Sequence, residues 1–114
     1  MKIDKYNFGS ITINGKEYTK DVIIFPDRVS APWWREEGHN LSLKDLKEVI
    51  NFNPDLIIIG TGAQGVMRVP QKTIEGLDKL GIRTITAKTG RAVNIYNKEM
   101  QNNENLVACF HLTC

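Results

Sequence analysis

Asn53-Pro54-Asp55-Leu56-Ile57-Ile58-Ile59-Gly60-Thr61-Gly62-Ala63-Gln64-Gly65 is the stretch on which the fold turns. Asn53-Pro54 ends a helix, because a proline disfavours the helical region for the residue before it. Leu56 to Ile59 then reads as a short buried strand, and the glycines stop it. On the upstream side, Ser42-Leu43-Lys44-Asp45 opens the helix that Pro54 closes. Ser42 can accept from the Asp45 backbone N–H, and Asp45 adds negative charge to the positive first turn. Leu43, Leu46, Val49 and Ile50 recur at helical spacing on one face.

Downstream the same alternation repeats. Pro70 suits the first turn of a second helix, Ile74, Leu77 and Leu80 form its apolar stripe, and Gly81 fits the left-handed position past its end. A strand from Ile82 to Ala87 follows. A third helix runs from Thr89 to Asn102, burying Ala92, Val93, Tyr96 and Met100, and a last strand spans Leu106 to Leu112. Strands separated by helices of about ten residues call for right-handed crossovers and parallel pairing.

The first third has the other period. Ser10-Ile11-Thr12-Ile13 alternates polar and apolar, and Asn14-Gly15 supplies two positive-φ positions for a hairpin turn. Asp21-Val22-Ile23-Ile24-Phe25 is continuous and β-branched, as in a strand covered on both faces, and Pro26-Asp27 ends it. The expected fold is therefore α/β and three-layer, with a central mixed, largely parallel sheet, helices on both faces and an N-terminal β-hairpin.

The 114 residues make one domain, 1–114, with no repeat or linker. With 41% hydrophobic and 25% charged residues, a disordered or coiled-coil chain is excluded. A net charge of +2 gives no footprint for nucleic acid, and two cysteines make no disulfide framework. The start, Met1-Lys2-Ile3-Asp4, lacks the apolar run of a secretory signal. Apolar blocks such as Leu56 to Ile59 fall far short of the roughly 20 residues that span a bilayer. The expectation is a cytoplasmic protein without membrane contact.

Four constellations bear on chemistry. Gly60-Thr61-Gly62-Ala63-Gln64-Gly65 matches G-x-G-x-x-G after a strand. A dinucleotide is disfavoured, because the next helix starts near Pro70 and Ala87-Lys88-Thr89 offers no carboxylate for a ribose. A small anion on the glycine amides, with Thr61, Gln64, Arg68 and Arg91 near it, is one reading, and a tight turn is the other. Trp33-Trp34-Arg35-Glu36-Glu37-Gly38-His39 is the second. Alternation sends one tryptophan to the core and frees the other for a partner, while Arg35 suits an ion pair and His39 could be an acid or base.

The third is Cys109-Phe110-His111-Leu112-Thr113-Cys114, where Cys109, His111 and Thr113 share a strand face. Too few ligands converge for zinc, and a cysteine acting as a small hydrophobe is the plainer reading. The fourth is the set of polar residues after strands: Asp27 and Arg28, Thr61, and Lys88, Thr89 and Arg91. They share one crevice if their strands are neighbours.

Four of these runs occur together and in order: Asp21 to Pro26, Trp33-Trp34-Arg35 with Gly38-His39, Asp55 to Gly62, and His111-Leu112-Thr113-Cys114. In them the chain resembles, over nearly its whole length, the small domain shared by adipogenesis-associated proteins, short archaeal and bacterial proteins, and mitochondrial complex I assembly factor three. The resemblance implies a three-layer α/β fold and action through protein contacts, with no catalytic residues to carry over. The reading is thus of a protein of unknown biochemical function, leaning to a non-enzymatic binding or assembly module. A protein partner would meet a surface of Trp33, Trp34, Arg35 and His39. No metal and no cofactor are expected. The alternative is an enzyme or sensor for a small anionic metabolite at Gly60, Thr61, Gly62, Gln64, Gly65, Arg68 and Arg91.

Overall fold

A computed structural model describes residues 1–114, and its eight strands divide between two sheets. Strands β1 (Ile3–Asn7), β2 (Ser10–Ile13) and β3 (Lys16–Tyr18) form an antiparallel meander. Asn14 and Gly15 take φ of 50° and 81° between the paired residues Ile13 and Lys16, so the expected hairpin forms. It gains β1 as a third strand and stands apart from the main sheet. The reason is its one-sided polarity: Ile3, Ile11 and Ile13 are buried, whereas Asp4, Lys5, Lys16 and Glu17 are exposed. Such strands can cover a sheet face but cannot sit within one.

The main sheet contains β4 (Val22–Ile24), β5 (Val29–Ser30), β6 (Leu56–Thr61), β7 (Arg83–Ala87) and β8 (Leu106–His111), in the order β5-β4-β8-β6-β7. The fold is mixed α/β. The helical crossovers make β6 parallel to both β7 and β8, but β4 is antiparallel to β5 and to β8. Two of the four strand pairings are therefore parallel and two antiparallel. The antiparallel β4–β5 pair comes from the tight Phe25–Arg28 connection, closed by a 2.8 Å backbone hydrogen bond, and not from the hairpin.

The helix expected after Ser42 starts as a 3₁₀ turn, Leu43–Leu46, and continues as α1 (Lys47–Phe52). The Asp45 carboxylate accepts the Ser42 N–H and hydroxyl at 3.0 and 3.1 Å, and Asn53 ends α1 at φ 59°. Helix α2 (Gln71–Lys79) begins after Pro70 and buries Thr73 and Leu77, while Leu80 lies beyond its end and is exposed. Helix α3 (Thr89–Glu99) stops short of Asn102. None of these helices is long and apolar enough to cross a membrane.

Alternation along β4, β6 and β8 gives the sheet two apolar faces. Ile24, Ile58 and Phe110 meet Val93 and Tyr96 of α3 and the Ile3, Ile11 and Ile13 side of the meander. Ile23, Ile57, Ile59 and Cys109 meet Trp33, Leu46, Val49 and Leu77. Pairing of Thr61 with His111, and of Val22 with Phe110, brings the ends of β6 and β8 to the start of β4 at one end of the sheet. Asp27 and Arg28 emerge at the opposite end because β4 runs the other way. There Arg28 pairs with Asp27 and Glu48, so neither joins Thr61, Lys88 and Arg91.

Candidate functional site

Three segments meet at the end of the sheet where β8 finishes. Asp21 precedes β4, His111 closes β8, and Arg35 comes from the segment that links β5 to the 3₁₀ turn. Arg35 Nη2 lies 2.8 Å from Asp21 Oδ2, and His111 Nδ1 reaches the same oxygen at 2.8 Å. The other carboxylate oxygen accepts the Leu112 N–H at 2.8 Å. The cluster is dry: side-chain exposure is 5% for Arg35, 8% for His111 and 20% for Asp21.

Proton positions follow from the contacts. At 2.8 Å an ionised carboxylate would repel a nitrogen lone pair, so His111 Nδ1 carries a proton and donates it to Asp21. The 3.1 Å approach of Arg35 Nη2 to the same nitrogen is then proximity between two donors. His111 Nε2 and Arg35 Nε and Nη1 have no protein partner, and the guanidinium carbon stacks 4.5 Å from the Trp33 ring. Burial pushes the Asp21 carboxyl up, but hydrogen bonds from His111, the Leu112 N–H and Arg35 outweigh it and hold the group below its usual range. Tyr6 donates to the Leu112 carbonyl at 2.9 Å. Its phenol is raised first by burial and then by the nearby Asp21 charge.

This cluster holds one end of an exposed element. The Trp33 N–H donates to the Asp21 carbonyl at 2.7 Å, and its indole N–H donates to the Asp45 carbonyl at 3.0 Å. The Glu36 N–H donates to Asp45 Oδ1 at 3.0 Å. Between these anchors Trp33 is 4% exposed and Trp34 is 75% exposed. The division of the two indoles follows the alternation of an extended segment. Trp34 rims a 240 Å³ cleft with Pro32, Lys44, Lys47 and Glu48.

Of the residues expected on a partner surface, Trp34 and His39 face solvent, while Trp33 and Arg35 point inward. The His39 ring approaches that of His111 edge-on at 5.7 Å. Its carbonyl accepts the Arg68 N–H at 2.8 Å, and Leu41 donates back to the Arg68 carbonyl at 2.9 Å. The Arg68 side chain is exposed, so this arginine joins the two loops through its backbone.

The glycine turn is satisfied from within the chain. The Gly62 N–H goes to Thr89 Oγ1 at 2.8 Å, and the Ala63 N–H to the Thr113 carbonyl at 2.7 Å. Gln64 and Val66 both donate to the Cys114 carbonyl at 3.1 Å, and Gly65 donates to Gly62 at 3.2 Å. Gly62 has φ of 107°, and a side chain there would overlap the Cys114 backbone. The turn thus needs glycine because the chain's last residues pass close to it. Thr61 Oγ1 donates to the Ala87 carbonyl at 3.2 Å, and the Lys88 stem lies against Gly65. Arg91 shares a separate cleft with Lys88.

The family model described as protein of unknown function (DUF498/DUF598) matches residues 3–111. The chain belongs to that family. Its fold is similar to that of the conserved hypothetical protein PH1505 from Pyrococcus horikoshii, with TM-score 0.83, 24% identity and full coverage of both chains. It is also similar to MT938, with TM-score 0.82, 26% identity and coverage of 99% and 98%. A third likeness is to a Mth938-like domain from Bordetella pertussis, with TM-score 0.76, 16% identity and coverage of 97% and 85%. The family is described as one of unknown function, and the biochemical function of this chain is likewise unknown.

Sequence reading missed the union of Asp21 with His111, which lie 90 residues apart. The available signal was a carboxylate directly before an apolar strand, Asp21, together with a histidine between apolar residues in another, Phe110-His111-Leu112.

Proposed function

We propose that this protein is a non-enzymatic binding or assembly module whose protein partner is held by Trp34 beside the Pro32, Lys44 and Lys47 cleft. One observation carries the reading: an indole 75% exposed to water between two residues, Trp33 and Arg35, each fixed by a part-buried hydrogen bond. A rigid, exposed aromatic loses little entropy on binding and has the character of an interface anchor. The resemblance to adipogenesis-associated and complex I assembly proteins, read as a shared three-layer domain working through contacts, supports the same class. The geometry favours this over a small anion at Gly60–Gly65, since the amides an anion would use already donate to Thr89, Gly62, Thr113 and Cys114.

The test compares partner capture by the unaltered protein with capture by Trp34→Ala and by Leu80→Ala, a control at another exposed apolar residue. Loss of an anchor residue costs about 2 kcal/mol or more, near thirtyfold in affinity. Trp34→Ala should lose the partner with its melting temperature unchanged, and Leu80→Ala should retain it. Equal capture by all three proteins removes Trp34 from the interface.

A further inference from the structure

Strand β7 ends the main sheet, and no further strand pairs with its outer side. The Arg83 N–H donates to the Asp55 carbonyl at 3.1 Å, and the Ala87 carbonyl accepts from Thr61. In a parallel pair, alternate residues turn both backbone groups to the neighbour. Arg83, Ile85 and Ala87 therefore serve β6, and the N–H and C=O groups of Thr84 and Thr86 face outward. Sheet edges are commonly protected by proline, bulges, charged side chains or extreme shortness, and of these β7 has only Arg83 at its start. The opposite edge strand β5 has two residues, whereas β7 has five and is regularly paired throughout. Thr84 Oγ1 is also buried without a partner.

A cleft flanks this edge on each side. Between β7 and α2 lies a 380 Å³ space with Ile74 and Ile82 in its wall and Glu75 and Asp78 at hand. Between β7 and α3 lies a 460 Å³ space with Ile85, Ile95, Lys88 and Arg91. Neither Lys88 nor Arg91 takes part in an ion pair. The first cleft thus sets Glu75 and Asp78 against a single cation, Arg83, whereas the charged groups of the second, Lys88 and Arg91, are both cations.

We infer that β7 accepts an extended segment of a partner protein as an added strand, with alternate side chains apolar and acidic. Its backbone would pair with Thr84 and Thr86. Side chains of a strand alternate in direction, so carboxylates would enter the α3 cleft toward Lys88 and Arg91, and apolar groups the α2 cleft. Glu75 and Asp78 disfavour the reverse placement. A second copy of this chain fits less well, because its β7, Arg83-Thr84-Ile85-Thr86-Ala87, has no carboxylate to offer the α3 cleft, and the cations of the two copies would be brought together. Like charges opposed across strands are destabilising.

The inference does not rest on Trp34, and its test separates the two. Isotope-labelled protein is titrated with a capped hexapeptide of alternating Glu and Val, then with the same peptide carrying Lys in place of Glu. The Glu peptide should shift the Thr84 and Thr86 amides and slow their hydrogen exchange, and the Lys peptide should bind at least about tenfold more weakly. Lys88→Glu with Arg91→Glu, two exposed positions, should reverse that order, and Trp34→Ala should leave it intact. The inference is overturned if Thr84 and Thr86 are protected from exchange without peptide. It is equally overturned if about 1 mM Glu peptide leaves them unmoved, or if both peptides bind alike.

Discussion

Replacing Asp21 by alanine tests the cluster most severely. The change removes the acceptor of three hydrogen bonds, from Arg35, His111 and the Leu112 N–H, each 2.8 Å long. More important, it leaves the Arg35 guanidinium, 5% exposed, in the interior without a carboxylate. Breaking a buried pair from one side costs about 3–5 kcal/mol, because the remaining charge has lost both water and partner. That is a large share of the roughly 5–15 kcal/mol that holds a domain together. For a chain of this size it amounts to a fall in melting temperature of about 12–20 °C. Urea and thermal denaturation followed by circular dichroism read it directly. Arg35→Met supplies the control, since Asp21→Ala combined with Arg35→Met removes both charges and should be more stable than Asp21→Ala alone. A loss below about 1 kcal/mol for Asp21→Ala, or a double variant as unstable as the sum of its parts, refutes the reasoning.

Two further outcomes follow from the same region. Because the folded-state pKa of Asp21 is depressed, its contribution is fully present above the ordinary carboxylate value near pH 4 and is lost as pH falls through the lowered value. Stability measured between about pH 2 and 6 should therefore drop on acidification more steeply in the unaltered protein than in Asp21→Asn, and parallel curves would contradict the assignment. Cys109 is buried, and burial pushes its thiol far up despite the nearby Arg35 charge, whereas Cys114 is half-buried. A thiol reagent should label Cys114 first and Cys109 only on unfolding; equal rates would be inconsistent with the packing of β8.

Local chemistry made much of the fold legible. Asn14-Gly15, Asn53-Pro54 and Gly81 each mark a boundary that the backbone honours, with positive φ at Asn14, Gly15, Asn53 and Gly81. The division of Trp33 from Trp34 followed from strand alternation alone. What remained hidden depends on strand order. The place of the hairpin outside the main sheet, the reversed direction of β4 and the meeting of Asp21 with His111 are all long-range facts. Asp27 looked like a neighbour of Thr61 until the direction of β4 sent it to the far end of the sheet. The glycine turn shows the same limit, since its motif suggested a ligand, and the groups that fill it come from Thr89, Thr113 and Cys114.

The buried ion cluster also bears on which strand pairing wins. Val22, Ile23 and Ile24 could slide two residues along β8 and still put apolar side chains on the same faces, so burial alone discriminates weakly among registers. A slide of that size moves Asp21 by about 7 Å, beyond reach of His111. Arg35 would then stand uncompensated in the interior, at the same cost of about 3–5 kcal/mol, and only in the misaligned chain. The three polar side chains thus act as a proofreading mark for β4 against β8, widening the energy gap between the correct alignment and its nearest competitor.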